Sequence, residues 1–243
     1  VAFQFITSMR NRGPEGDGGP LSDSKGRPTP HLIGFLERTT TMIELGLKPV
    51  YIFDGKHPEL KADVMKKRST RRADAKKKWK EALAAGDYQR AQKYGQQSAE
   101  YTPEMQEQTK KLLDLLGVPW VDAAAEGEGQ AAVMAKRGEL DIVATQDWDA
   151  LLYGSPVLIR NLMSHGKKRM GRLVTAERIV LSELLSKHEI SMEQLVDLAI
   201  MIGTDFHPGI KGIGPKTGLK LIKEHGDIET ICAVKEREIP ENL

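Results

Sequence analysis

Short apolar runs alternating with helical periodicity restrict this chain more than any other feature. Lys48-Pro-Val-Tyr-Ile-Phe, Val118-Pro-Trp-Val, Leu140-Asp-Ile-Val-Ala-Thr and Val157-Leu-Ile are rich in β-branched and aromatic residues. That is the composition of short buried strands. Residues 31–46 and 103–116 carry apolar side chains at helical spacing and stop at Gly46 and Gly117; a further helix is expected over 128–137. Strands alternating with helices imply an α/β fold, a mostly parallel central sheet flanked by helices. Residues 2–10 read as helix and 11–30, dense in Gly, Pro, Ser and Asp, as loop. Residues 175–203 read as two helices, 204–218 as a Gly-rich turn, and a helix then runs to about 224.

The chain has 243 residues, 40% of them hydrophobic, and a mean hydropathy of −0.41. This suffices for one large α/β domain with a buried core. No apolar run approaches the ~18 residues of a membrane helix. One cysteine, Cys232, rules out an intrachain disulfide and fits a reducing interior. The sequence opens at Val1 in mid-pattern, without Met or a targeting segment, and reads as part of a longer chain.

The net charge of +2 says less than its distribution. From Lys56 to Lys80 there are 11 basic residues, among them Lys66, Lys67, Arg71 and Arg72, against three acidic ones. A helical stretch with so little to bury is either a solvated surface helix or an element facing phosphate.

Acidic residues gather in four places. Asp54 follows the first strand, Glu126 and Glu128 the second, and Asp147 and Asp149 the third; Asp205 stands where a helix meets the Gly-rich turn. Any one of these alone is ordinarily a turn former or a helix cap. Together they matter, because ligand sites in open parallel sheets form at the carboxyl ends of strands. On extended backbone the i, i+2 pair Asp147 and Asp149 points the same way. So many carboxylates in one cleft repel unless cations neutralise them. Oxygen ligands without paired Cys or His favour Mg²⁺ or Mn²⁺ over Zn²⁺, and two such ions about 3.5–4 Å apart are the usual clamp for phosphodiester hydrolysis.

Val50-Tyr-Ile-Phe-Asp-Gly, Glu126-Gly-Glu-Gly-Gln-Ala-Ala, Thr145-Gln-Asp-Trp-Asp-Ala-Leu-Leu, Ile202-Gly-Thr-Asp-Phe and Gly209-Ile-Lys-Gly-Ile-Gly-Pro-Lys resemble, in order and spacing, the motif series of the archaeal and eukaryotic flap endonucleases. The resemblance covers roughly residues 1–230. It implies a structure-specific 5′ endonuclease that cuts 5′ flaps of branched DNA by two-metal hydrolysis, in Okazaki-fragment maturation and repair, with 5′–3′ exonuclease activity beside it. It implies metal ligation by Asp54, Glu126, Glu128, Asp147, Asp149 and Asp205, with two Mg²⁺ ions that Mn²⁺ can replace. The family's further metal-binding Asp falls upstream of Val1.

Lys61 and Arg68 are seven apart, which on one helix sets them on one face. They resemble the Lys and Arg at the base of the family's helical arch, and the resemblance gives them the scissile phosphate. Phe3 matches an aromatic that stacks on a base near the cut. Residues 56–100 resemble the arch through which the free 5′ strand passes; their composition allows disorder until DNA arrives, and their cations track a backbone without reading bases. Residues 196–225 resemble the helix–two-turn–helix that grips the duplex. There Gly209, Gly212 and Gly214 allow backbone amides near phosphate, Lys211 and Lys216 add charge, and the resemblance brings K⁺ to the 209–214 turn. The six histidines form no metal-spaced pair and read as structural or surface residues.

The whole of 1–243 is thus expected to be a single 5′-nuclease catalytic domain, truncated at both ends. Its expected partners are flapped DNA and, for the full protein, a sliding clamp whose binding peptide is absent here. Its expected place is the cytoplasm of an archaeon or the nucleus of a eukaryote. Rival readings are a 5′ exonuclease or junction-cutting relative, a non-catalytic DNA-binding protein, and a small-molecule phosphatase using Asp-x-Asp.

Overall fold

A computed structural model describes residues 2–56, 58–162, 168–169 and 171–234; two of the six histidines counted above, His57 and His165, lie outside the described residues. In chain order the elements are α1 (Ala2–Ser8), α2 (Pro30–Glu44), β1 (Tyr51–Phe53), a 3-10 turn (Glu59–Lys61), α3 (Ala62–Ala84), α4 (Tyr88–Gln97), α5 (Pro103–Leu115) and β2 (Trp120–Asp122). There follow α6 (Gly127–Lys136), β3 (Val143–Ala144), α7 (Asp149–Leu152), β4 (Val157–Arg160), β5 (Lys168–Arg169), β6 (Arg172–Leu173) and β7 (Glu177–Val180). The last four are α8 (Leu181–His188), α9 (Met192–Ile202), α10 (Pro215–His225) and α11 (Ile228–Val234). The chain divides into two compact units, residues 1–51 with 62–121, and 52–61 with 122–243.

In the first unit α1 packs on α2, with Phe5 edge-on to Phe35 at 5.4 Å between centroids. Gly34 permits this approach: a methyl group there would lie 2.3 Å from the Phe5 ring. Phe35 continues to Tyr51 at 5.0 Å, whose hydroxyl lies 2.8 Å from Thr39 Oγ1. The helix α5 begins at Thr102, whose hydroxyl accepts from the Met105 N–H, with Pro103 behind it, two N-terminal signals readable in the sequence. His31 joins α2 to α5 through Gln108 at 2.7 Å.

The basic stretch folds as a helical hairpin of α3 and α4, turned at Gly86 (φ 69°) and capped by Asp87, which accepts from Arg90 N–H. Its seam buries small side chains, Ala75, Ala82 and Ala91. The hairpin is also tied to the loop the sequence left unstructured: Trp79 Nε1 donates to the Asp17 carbonyl at 2.6 Å and Arg10 to the carbonyls of Gly18 and Gly95. The expectation of disorder before DNA arrives weighed only apolar side chains; backbone carbonyls supply the missing anchorage.

The second unit holds a three-stranded sheet in the order β3-β4-β7. β3 and β4 run parallel, Val143 opposite Leu158; β7 adds antiparallel to β4, Val157 opposite Val180. β7 lies inside residues 175–203, which the sequence reading assigned wholly to helix. Glu177-Arg-Ile-Val has two charged residues before two apolar ones, a pattern too short to separate period 2 from 3.6, and pairing with β4 decides it. At β1 and β2, which are hydrogen-bonded neighbours, Ala123 N–H donates to Phe53 C=O at 2.8 Å. One core forms where small residues of α6 (Ala131, Ala135) meet Val143, Leu151 and Leu158. A second joins Met201, Leu221, Ile222, Ile228 and Ile231 of α9, α10 and α11 around buried Cys232, each large side chain contributing about 1.5–3 kcal/mol.

Candidate active site

All six singled-out acidic residues and one lysine share charge within the second unit, and local backbone explains how several of them are aimed. Gly55 N–H donates to the Ala125 carbonyl at 2.7 Å, and a methyl group at Gly55 would lie 2.0 Å from the Ala123 carbonyl oxygen. Only glycine lets the chain leave β1 so closely, which delivers Asp54 to the start of α6. There Asp54 Oδ1 accepts from Gly127 N–H at 2.8 Å, one of the amides a helix start leaves without an intrahelical partner. Glu126 occupies the N-cap of α6 and Glu128 its first turn, where the helix's positive end favours anions.

Asp147 and Asp149 are placed differently from the expectation of extended backbone. Trp148 between them is helical (φ −77°, ψ −18°), and Asp147 Oδ1 accepts from Asp149 N–H at 3.1 Å, so Asp147 turns the chain into α7. Short polar side chains commonly close such turns, which overrides the i, i+2 argument. The two carboxylates nevertheless interact. Burial holds the Asp149 carboxyl above the usual range, Asp147 adds repulsion, Lys61 opposes it, and Asp205 and Glu126 push further. Glu128 is likewise raised, by burial first, against its own backbone N–H, with repulsion from Asp54, Asp147 and Glu126; Thr145 Oγ1 donates to it at 3.4 Å.

Lys61 is buried among these acids. Its ammonium pairs with Glu126, lies 3.8 Å from Asp205 Oδ2 and sits 4.5 Å above the Phe206 ring centroid. It ends the 3-10 turn that follows Pro58, ahead of α3, so one continuous helix does not relate it to Arg68 as the seven-residue spacing suggested. Arg68 is exposed on α3, as are Lys66, Lys67 and Arg71, while Arg72 is half-buried and 3.8 Å from Glu100. Phe3 is exposed on α1. All six belong to the first unit.

The Gly-rich turn is built on positive φ at Gly203, Gly209 and Gly212 (110°, 81° and 86°). A methyl group at Gly209 would fall 2.5 Å from the Ile202 carbonyl oxygen. His207 Nδ1 accepts from Gly209 N–H. Gly214 is the N-cap of α10, which begins at Pro215 inside the expected turn; Lys211 and Lys216 are exposed beside it.

Two groups escaped the sequence reading. Tyr153 lies one helical turn after Asp149; burial, then Glu126, Asp149, Glu128 and Asp147, push its phenol up to about 12, so it stays protonated. Phe206 lies under Lys61. Tyr153 stood next to one quoted motif and Phe206 closed another without being given a role, and the turn spacing of Tyr153 was the available signal.

The all-oxygen donor set fits hard divalent cations, and the mutual repulsion at Glu128 and Asp149 is what such cations relieve. Among the described residues no three acidic, His or Cys side chains lie close enough to hold one ion; Lys61 and the Gly127 amide occupy part of the carboxylate capacity.

Residues 3–75 match the family model of the XPG N-terminal domain and residues 117–205 that of the XPG I-region. The two matches put the chain in the class of proteins built on these regions. The flap endonuclease 1 of Ignicoccus hospitalis is 45% identical to it, over 98% of this chain and 69% of its own, and that of Hyperthermus butylicus 47%, with the same coverage. Among solved structures, flap endonuclease-1 from Methanococcus jannaschii superposes with a TM-score of 0.67 at 38% identity, over 99% of this chain and 77% of its own. The catalytic core of Rad2 in complex with DNA substrate shares the fold, with a TM-score of 0.67 at 23% identity, over 94% and 60%. The chain belongs to the flap endonuclease 1 family. It spans about two thirds of the length of these curated relatives and three fifths of that Rad2 core. No helix among the described residues is long and apolar enough to cross a membrane.

Proposed function

We propose that the protein is a structure-specific 5′ nuclease that cuts the 5′ flap of branched DNA, in replication and repair inside the cell, with divalent metal. The observation that carries this reading is the mutual charge of Asp54, Glu126, Glu128, Asp147, Asp149 and Asp205 within one unit, which also holds Lys61. A protein that only bound DNA would gain nothing from acids that repel it.

Asp54, Glu126, Glu128, Asp147, Asp149 and Asp205 would hold Mg²⁺ or Mn²⁺, which when bound supplies charge neutralisation at the phosphodiester and an acidified water. The protein's own contribution is orientation. The Asp54–Gly127 hydrogen bond and the Asp147 turn fix two carboxylates before metal arrives, so little reorganisation remains. Lys61 is the cation within the unit able to exchange its carboxylate partners for phosphate charge. The phosphate role of Arg68, the stacking role of Phe3, K⁺ at the 209–214 turn and a sliding-clamp partner rest on the resemblance. Substrate choice follows DNA shape, with Lys66, Lys67, Arg71, Arg72, Lys211 and Lys216 meeting phosphates.

Labelled double-flap DNA tests the reading beside blunt duplex and single strand. Cleavage at the flap base supports it. Equal cutting of blunt ends would favour an exonuclease, and binding without cutting a non-catalytic protein.

A further inference from the structure

Between Asp147 and Asp149 stands Trp148, a large indole that is 47% exposed. The two aspartates repel each other, and the bonds that close their turn are local. Asp147 N–H donates to Thr145 Oγ1 at 3.2 Å, and Asp149 N–H to Asp147 Oδ1 at 3.1 Å. Arg160, the last residue of β4, ties this turn to the sheet at two points. Its guanidinium carbon lies 4.2 Å from the centroid of the Trp148 ring, within the range of a cation–π contact. Its Nε donates to the Gln146 carbonyl at 3.3 Å. One side chain thus grips the peptide before Asp147 and the ring after it. Arg160 is itself anchored: Nη1 donates to Glu177 at 3.2 Å, the residue opposite it in the β4–β7 ladder, and its side chain is only 21% exposed.

We propose that Arg160 is a positioning residue for metal binding: braced by Glu177, it stacks on Trp148 and holds the Gln146 carbonyl, and so keeps Asp147 and Asp149 aimed together against their repulsion. The inference rests on the nuclease reading and deepens it, because it names what arranges two of the carboxylates before an ion arrives. The work needs a planar cation. A guanidinium stacks through its face while its edge donates in two directions, to Gln146 and to Glu177; an ammonium carries the charge without the plane. Trp148 has the complementary part, a ring whose face attracts the cation. Partners that orient metal ligands from behind commonly account for about ten- to hundredfold in metal affinity.

Mn²⁺ titration of the full-length protein without DNA, followed by the electron paramagnetic resonance of the free ion, reads the ligands without turnover. Arg160→Lys keeps the charge and loses the plane, Trp148→Leu removes the ring from an exposed position, and Trp148→Phe restores a ring. Arg160→Lys and Trp148→Leu should each bind Mn²⁺ on the order of tenfold more weakly. Their double variant should be no weaker than the worse single one, because both break the same contact, and Trp148→Phe should bind nearly as wild type does. DNA affinity in EDTA, and its dependence on salt, should be the same in wild type and Arg160→Lys. Wild-type Mn²⁺ affinity in Arg160→Lys, or additive losses in the double variant, would overturn the positioning role. So would a loss in Arg160→Lys confined to DNA affinity in EDTA, which would make the arginine a phosphate contact instead. Failure of wild type to bind Mn²⁺ and to cut any flap would overturn the nuclease reading itself, an outcome distinct from wild-type binding that Arg160→Lys leaves unchanged.

Discussion

Lys61 stands where the charge of the site is balanced before metal enters. It and Glu126 are nearly buried, with side-chain exposures of 9% and 13%, and removing one partner of such a pair costs about 3–5 kcal/mol. Lys61→Met should therefore destabilise the metal-free protein by about 2–4 kcal/mol, and Mg²⁺ should restore more stability to the variant than it gives wild type. Urea unfolding with EDTA and with Mg²⁺ measures both; an equal Mg²⁺ gain in the two proteins would contradict the balance. His31 gives a pH signature in the first unit. Burial holds its pKa below the ordinary imidazole value despite Gln108 and Glu104, and its Nδ1 is buried without a partner. A depressed folded pKa means the unfolded chain binds the proton more readily. The contribution is present above about pH 6.5 and lost as pH falls through that window. Wild type should lose stability between pH 7 and 5.5 more steeply than His31→Leu, as read from unfolding curves; parallel slopes would refute it. The acids were legible because each follows a strand end or a helix end. Lys61's ion pairs and His31's burial were not, since each depends on residues distant in sequence.

Secondary structure was most legible where local chemistry and packing agree. The start of α5 at Thr102-Pro103 and the stops at Gly46 and Gly117 were visible in composition. β7 was missed because four residues carry too little periodicity, and α11 because its seven residues are placed by packing against both α9 and α10. The α3–α4 hairpin was legible as helix but not as anchored. A methyl group at Gly18 (φ 71°) would lie 2.4 Å from Gln92 Cα, and one at Gly95 2.4 Å from the Gly18 carbonyl oxygen. Gly18→Ala should therefore loosen α4 from its loop, costing about 2–4 kcal/mol from left-handed strain and backbone overlap. Amide exchange would show lost protection confined to α3 and α4. Unchanged protection would mean the hairpin stands by itself.

At the scale of the whole molecule, the sequence conveyed the α/β class and the motif order, while the division into two compact units was not legible, because it depends on which helices meet. The basic face of α3 makes a prediction independent of the carboxylates. Replacing Lys66, Lys67 and Arg71 by Gln should weaken all DNA alike and lower the slope of log affinity against log salt by about 0.9 for each lost duplex phosphate contact, or about 0.7 on single strand. Titrations from low to moderate salt measure it, and an unchanged slope would remove α3 from the DNA interface. We propose above that the carboxylates of the second unit hold metal for flap cleavage. Cleavage of 5′-flap DNA by wild type and Asp147→Asn, with and without Mg²⁺, tests it most directly. Wild type should cut at the flap base only with Mg²⁺, and Asp147→Asn should bind the DNA but cut at least about a thousandfold more slowly. Undiminished cutting by Asp147→Asn, or cutting by wild type in EDTA, would contradict it.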